Sequence, residues 1–213
     1  GKCMKLFIDI GNTNTALFIV QNKKIIKKYF IHTDKKKVEL KPLKRLLGKY
    51  CESIDEIIIV SVVPRFLVLI KKTLHEICKS AKILVVGKNI VVPIKNKYNK
   101  PEEVGQDRLL VSYAAYERYG GPVLAIDFGT AVTFDYVNKS GEYLGGLIFP
   151  GIRLSLESLT KKTALLPKIN VKTPGALIGR DTHSSMNNGL VLGYASLCDG
   201  IIERFIDKYG KNV

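Results

Sequence analysis

Residues 8–15 read Ile8-Asp9-Ile10-Gly11-Asn12-Thr13-Asn14-Thr15, and residues 126–133 read Ile126-Asp127-Phe128-Gly129-Thr130-Ala131-Val132-Thr133. Each stretch is an apolar strand that ends in Asp. One residue and a Gly follow, and then small hydroxyl or amide residues lead into a second strand. A single Asp-x-Gly hairpin is an ordinary turn signal that any sheet protein can use. Two of them in register, one opening each half of the chain, point to an internal duplication. The residue types also have a chemical logic. Glycine lets backbone N–H groups approach an anion with no Cβ in the way. Asn12, Thr13 and Asn14 add side-chain donors, and Asp9 and Asp127 place carboxylates at strand ends, where they can hold a metal directly or through water. Two such loops facing each other would grip a polyphosphate from both sides. The sequence contains neither G-x-x-x-x-G-K-[ST] nor G-x-G-x-x-G, which disfavours a P-loop or Rossmann site.

Outward from the first hairpin, residues 5–10, 15–20 and 24–31 read as three successive strands. A helix is predicted near 38–50 and a strand at 56–62. Pro64 then opens a helix to about Ser80, with Leu67, Ile70, Leu74 and Ile77 on its apolar positions. Residues 82–86 read as a strand, and 87–104 as an irregular functional loop. The second half restarts with a helix from Asp107 to about Tyr119. Strands follow at 123–127, 131–137 and 143–148, then helices near 152–161 and from Ser184 to Tyr209. This alternation predicts an α/β fold with two lobes.

The 213 residues are 46% hydrophobic and 25% charged, as in an ordinary globular protein. No apolar run approaches the ~20 residues that span a bilayer. Residues 1–3 lack a signal-peptide stretch and read as a remnant ahead of Met4. The expected location is the cytoplasm. The formal net charge is +15, but the excess is mostly lysine scattered over predicted surfaces. A nucleic-acid reader would lean more on arginine, so solvated faces are the preferred reading. The four cysteines form no C-x-x-C pair, and Cys51 and Cys78 read as buried free thiols. His32, His75 and His183 have no metal-ligand spacing.

Asp107 and Arg108, at a predicted helix start, are a candidate catalytic pair. An Asp can accept the proton of an attacking alcohol, and an Arg can bind a carboxylate or phosphate bidentately. The competing reading is a helix cap. Further segments surround them: Tyr98-Asn-Lys-Pro101-Glu-Glu-Val-Gly105-Gln-Asp107-Arg108, Tyr143-Leu-Gly-Gly-Leu-Ile-Phe-Pro150-Gly151, Thr163-Ala-Leu-Leu-Pro167, and Ile178-Gly179-Arg-Asp-Thr182 before Gly189.

The doubled hairpin resembles the phosphate grip of the actin, hexokinase and Hsp70 superfold. The ordered set of segments resembles type III pantothenate kinase along nearly the whole chain. The resemblance implies a two-lobed actin-like ATPase (ribonuclease H-like) duplication, with lobes at 4–104 and 105–213. It implies ATP-dependent phosphorylation of pantothenate, the first step of coenzyme A biosynthesis. ATP would be held by Asp9, Ile10, Gly11, Asn12, Thr13, Asn14, Thr15, Ala16 and Thr130. Pantothenate would meet Tyr98, Gly105, Gln106, Asp107, Arg108 and Thr182, with Asp107 as the proton acceptor. Asp127 would hold a monovalent cation, K⁺ or NH₄⁺, and Asp9 is the candidate for Mg²⁺ bound with ATP. Thr182 could instead cap the helix it precedes. Family members continue past the position of Val213 with a strand, a Thr-Gly-Gly turn and a helix, so the second lobe is expected to be incomplete at its C-terminus. The apolar residues of 184–209 spread round more than one face, which predicts a homodimer. The alternative function is a non-catalytic relative acting as a regulatory or nucleic-acid-associated accessory factor. Retention of Asp9, Asp107 and Asp127 weighs against it.

Overall fold

The computed structural model describes residues 3–34, 36–38, 40–211 and 213, and the chain divides into two compact units. One unit holds the chain up to Ile94 together with Lys100–Leu110. The other holds Lys95–Asn99 and Val111–Val213.

In the first unit, β1 (Met4–Ile10), β2 (Asn14–Gln21) and β3 (Lys24–His32) form the antiparallel meander expected from the sequence. β4 (Ile54–Ser61) and β5 (Lys82–Val85) then add in parallel, giving the order β3-β2-β1-β4-β5. Alternation along β1 buries Leu6, Ile8 and Ile10 and leaves Phe7 and Asp9 exposed. The buried set joins one core with Leu43 and Leu47 of α1 (Leu40–Leu47) and with Phe66, Ile70 and Leu74 of α2 (Pro64–Ile77). Pro64 lies in the first turn of α2, where its missing N–H costs no helical bond. Contrary to the free-thiol reading, Cys51 and Cys78 form a disulfide. Sequence spacing hides the pair. The fold brings the turn before β4 against the C-terminal end of α2, with a Cα–Cα distance of 4.6 Å, inside bridging range.

In the second unit, β7 (Val123–Phe128), β8 (Ala131–Val137) and β9 (Glu142–Pro150) repeat the antiparallel meander. The segment predicted to be irregular contributes β6 (Lys95–Asn96), a short strand parallel to β9, so the order is β6-β9-β8-β7. α3 (Gln106–Tyr119) precedes the meander, and α4 (Ile152–Lys162) and α5 (Thr182–Tyr209) follow it. The C-terminal turn of α5 docks on β8 through aromatic rings, with Tyr136 stacked 4.3 Å from Tyr209 and 5.4 Å from Phe205. Met186 and Leu190 of α5 are buried, while Leu192, Leu197, Ile201 and Ile202 stay half-buried. The α/β class and the strand hairpin repeated at the head of each unit's meander are as expected. Among the described residues, no helix is long and apolar enough to cross a membrane.

Candidate functional site

The two Asp-x-Gly hairpins are built alike, but one residue apart in length. In the first, Asp9 pairs with Ala16 and Ile10 with Thr15, leaving Gly11, Asn12 and Thr13 between strands. In the second, Asp127 pairs with Thr133 and Phe128 with Val132, leaving only Gly129 and Thr130. The register match seen in the sequence therefore holds for the first strand of each hairpin and slips by one on the second.

In the first loop, the Gly11 N–H donates to the Asn14 carbonyl at 3.1 Å, and the Thr33 N–H donates to the Thr13 carbonyl at 2.9 Å. The loop is thus pinned to the end of β3. Asp9, Asn12, Thr13 and Asn14 are exposed, and Ala16 is half-buried. Ile10 and Thr15 are wholly buried, and the Thr15 hydroxyl is hydrogen-bonded to that of Thr33 at 2.9 Å. Any part those two residues take in binding runs through the backbone.

Gly105–Arg108 lies at the same end of the first unit. The Val62 N–H donates to the Ile10 carbonyl at 3.1 Å, and the Val62 side chain lies against Gly105. The Gln106 side chain rests on Gly87, just past β5; Gly87 has φ +82°, and a Cβ there would meet Gln106 at 2.7 Å. So the 9–16 hairpin and the 105–108 segment gather at the carboxyl ends of parallel strands β1, β4 and β5, where open α/β sheets bind ligands. Asp107 is half-buried and is the second residue of α3, not its cap. One carboxylate oxygen accepts from the Arg108 N–H at 2.9 Å and lies where a Cβ on residue 105 would sit. Only glycine at 105 leaves room for this placement.

The remaining predicted residues fall in the second unit. Asp127, Gly129 and Thr130 are exposed at the β7–β8 turn. Gly151, the residue before α4, braces that turn: its N–H donates to the Thr130 carbonyl at 2.8 Å, and a Cβ on it would collide with the carbonyls of Gly129 and Thr130. Tyr98 rests on Gly145, five residues up β9 from Pro150 and so about 16 Å along the strand. The unit therefore does not bring Tyr98 beside Thr130. Thr182 is exposed at the first position of α5. Asp181 is the cap: it accepts from the Ser184 N–H at 2.8 Å, and Ser184 reaches back in return. The Ser184 backbone bond, with its hydroxyl, holds the Asp181 carboxyl below the usual aspartate range. The capping alternative for Thr182 is thereby corrected.

Sequence reasoning missed Gly87 and Gly145 as seats for Gln106 and Tyr98. The signal for Gly145 was present, since a glycine inside a strand marks a bulge or a close approach. A cleft of about 330 Å³ in the first unit, lined by Ile31, His32, Asp34, Pro42 and Phe66 among others, contains none of the predicted residues. Among the described residues, no three His, Cys, Asp or Glu side chains cluster as a metal cage. A magnesium ion carried by phosphate oxygens and water needs only one or two carboxylates, and exposed Asp9 at the strand end fits that demand.

The chain matches the family model for type III pantothenate kinase over residues 5–204. It is 40% identical to the type III pantothenate kinase of Persephonella marina, over 97% of this chain and 83% of that one. It is 39% identical to that of Geotalea uraniireducens, over 94% and 80%. A solved Campylobacter jejuni structure, provisionally described as a Baf family transcriptional activator, aligns with TM-score 0.52 and 18% identity. It covers 92% of this chain and 78% of its own, and at that identity the likeness is one of fold. With the family's segments standing in order from the first hairpin to α5, and a match that runs through nearly all of them, the chain belongs to the type III pantothenate kinase family.

Proposed function

We propose that this chain transfers the γ-phosphoryl group of ATP to the hydroxyl of pantothenate, giving 4′-phosphopantothenate and ADP, the first step toward coenzyme A. The observation that carries the reading is the Gly105–Arg108 segment, held beside the Asp9–Ala16 hairpin in a chain of this family.

Asp107 accepts the hydroxyl proton as the alcohol attacks, a role that suits a half-buried carboxylate supported by a backbone N–H. Gln106, Arg108, Tyr98 and Thr182 are the residues this reading assigns to pantothenate. Asn12, Thr13 and Asn14 donate to the phosphates, and Thr130 contacts the nucleotide. Kinases of this type use ATP with a divalent metal. Bound at Asp9 as Mg²⁺, that metal would neutralise charge developing on the phosphates. Asp127 holds K⁺ or NH₄⁺. The functional division into lobes 4–104 and 105–213, the homodimer and the cytoplasmic setting belong to the same reading. The half-buried apolar residues of α5 support the dimer. The accessory-factor alternative is supported by a fold likeness alone.

A coupled assay with ATP, Mg²⁺, K⁺ and pantothenate tests the reading. ADP release is expected to depend on pantothenate. ADP release indifferent to pantothenate overturns it.

A further inference from the structure

The second unit contains a buried polar pair that the reaction as described does not use. Asp135 on β8 is 1% exposed and Tyr143 on β9 is fully buried. The Tyr143 hydroxyl donates to an Asp135 carboxylate oxygen at 2.8 Å. A carboxylate is costly to bury and is kept where its bonds fix something. What lies over Tyr143 is Tyr98, with ring centroids 6.4 Å apart. On the same strand, Gly145 has φ +122°, and a Cβ added there would stand 3.1 to 3.2 Å from the Tyr98 ring. The backbone around Tyr98 is fastened as well. The Lys97 N–H donates to the Tyr143 carbonyl at 2.8 Å, and the Tyr98 N–H donates to the Asn96 side chain at 3.0 Å. Lys95 and Lys97 both pair with Glu142, at 2.7 and 3.8 Å.

We propose that Asp135, Tyr143 and Gly145 form a seat that fixes the Tyr98 ring, and that they are positioning residues for the pantothenate side of the reaction. The inference rests on the reading of Tyr98 as a wall of the pantothenate pocket. Gly145 supplies a flat floor, because any side chain would lift the ring. Tyr143 supplies the flanking ring, and Asp135 locks Tyr143 by its hydroxyl. None of the three needs to touch substrate. Their loss should therefore act on pantothenate affinity before it acts on ATP.

The variants are Tyr143→Phe, Gly145→Ala and Tyr98→Ala, read by KM for each substrate, by melting temperature and by the ring NMR signals of Tyr98. Tyr143→Phe and Gly145→Ala are expected to shift the Tyr98 signals and to raise KM for pantothenate about fivefold or more, with KM for ATP within about twofold. Gly145→Ala in a Tyr98→Ala background should add nothing to KM for pantothenate. Unmoved Tyr98 signals in both single variants overturn the seat. So does a matched rise in both KM values with a lowered melting temperature, which marks general destabilisation. If Tyr98→Ala leaves KM for pantothenate unchanged while the seat variants still move its ring signals, the pocket reading has failed, and the positioning role falls with it. If Gly145→Ala fails to fold, Tyr143→Phe carries the same comparison.

Discussion

The two Asp-x-Gly hairpins start from nearly the same sequence and are supported differently. β1 lies between β2 and the parallel strand β4, so its loop sits at a junction of three parallel strand ends and is pinned to β3 through Thr33. β7 is the edge of its sheet among the described residues, with β8 beside it, and its turn leans on Gly151 from the start of α4. The first loop is one residue longer and, with Asn14 at the start of β2, presents three exposed polar side chains. The second is a tight two-residue turn. A repeated motif thus fixes the strand and the carboxylate, while the neighbouring chain decides how the loop is braced and what else reaches it. In the first unit the neighbour is Gly105–Arg108, which brings a carboxylate of its own.

That asymmetry ranks the carboxylates, and the largest expected effect lies in the first unit. Asp107→Asn should fold and bind both substrates, with kcat lowered about 100-fold or more, the usual scale for losing a general base. Steady-state kinetics on the folded variant checks it. Turnover near wild type would remove Asp107 from the chemistry and leave the two hairpins on an equal footing.

The second contrast is between the braces. A Cβ on Gly11 would stand 3.1 Å from the Asn14 carbonyl, a close contact that small shifts relieve, whereas one on Gly151 would overlap two backbone carbonyls. Gly11→Ala is therefore expected to keep its melting temperature within about 2 °C while raising KM for ATP about tenfold, because in the proposed reading this loop receives the phosphates and the methyl group crowds it. Gly151→Ala should raise KM for ATP and also lower the melting temperature by about 5 °C or more, or about 2 kcal/mol for a chain of this size. Equal thermal shifts in the two variants would break the contrast.

Much of this architecture was legible in the sequence. Short apolar runs bounded by turn residues marked the strands of both meanders, and Pro64 marked the start of α2, because those signals are local. The 105–108 segment could be named from residue types, but its place beside the first loop depends on Val62 and Gly87, which no local pattern connects to it. The Cys51–Cys78 bridge was misread for the same reason: pairing is a fact of tertiary distance. The family resemblance put Thr15 among the ATP-binding residues, yet the pleat turns its hydroxyl inward to Thr33. Capping was the alternative to a pantothenate contact for Thr182, and the preceding Asp181 takes that role instead.

The third test addresses the cation. Wild type is expected to run faster in K⁺ or NH₄⁺ than in Na⁺, since a larger ion suits a loose oxygen cage beside a phosphate. Asp127→Asn should cost about tenfold in the K⁺ rate, the scale of one lost charge-assisted contact, and should abolish the preference. The corresponding change at Asp9 should leave the preference standing. Equal wild-type rates in the Na⁺ and K⁺ buffers would deny the second hairpin this role.

The smallest expected effect concerns buried hydroxyls, where the units again differ. In the first unit, Thr15 and Thr33 satisfy one another, and Thr73 donates to the Leu69 carbonyl. In the second, Ser112 on α3 is fully buried, and its hydroxyl has no hydrogen-bond partner among the described residues. A desolvated hydroxyl without a partner costs about 1–3 kcal/mol, and serine is a poorer helix former than alanine. Ser112→Ala removes both penalties and leaves no large void, since the side chain loses a single atom. The variant should be more stable by about 1 kcal/mol, a rise of about 2–4 °C in melting temperature for a protein of this length. Thr15→Val, the matched change in the first unit, should go the other way, because it strands the Thr33 hydroxyl. Differential scanning calorimetry on the two variants decides the matter. A loss of stability in Ser112→Ala equal to that in Thr15→Val would mean that Ser112 is hydrogen-bonded in solution and that the units do not differ in this respect.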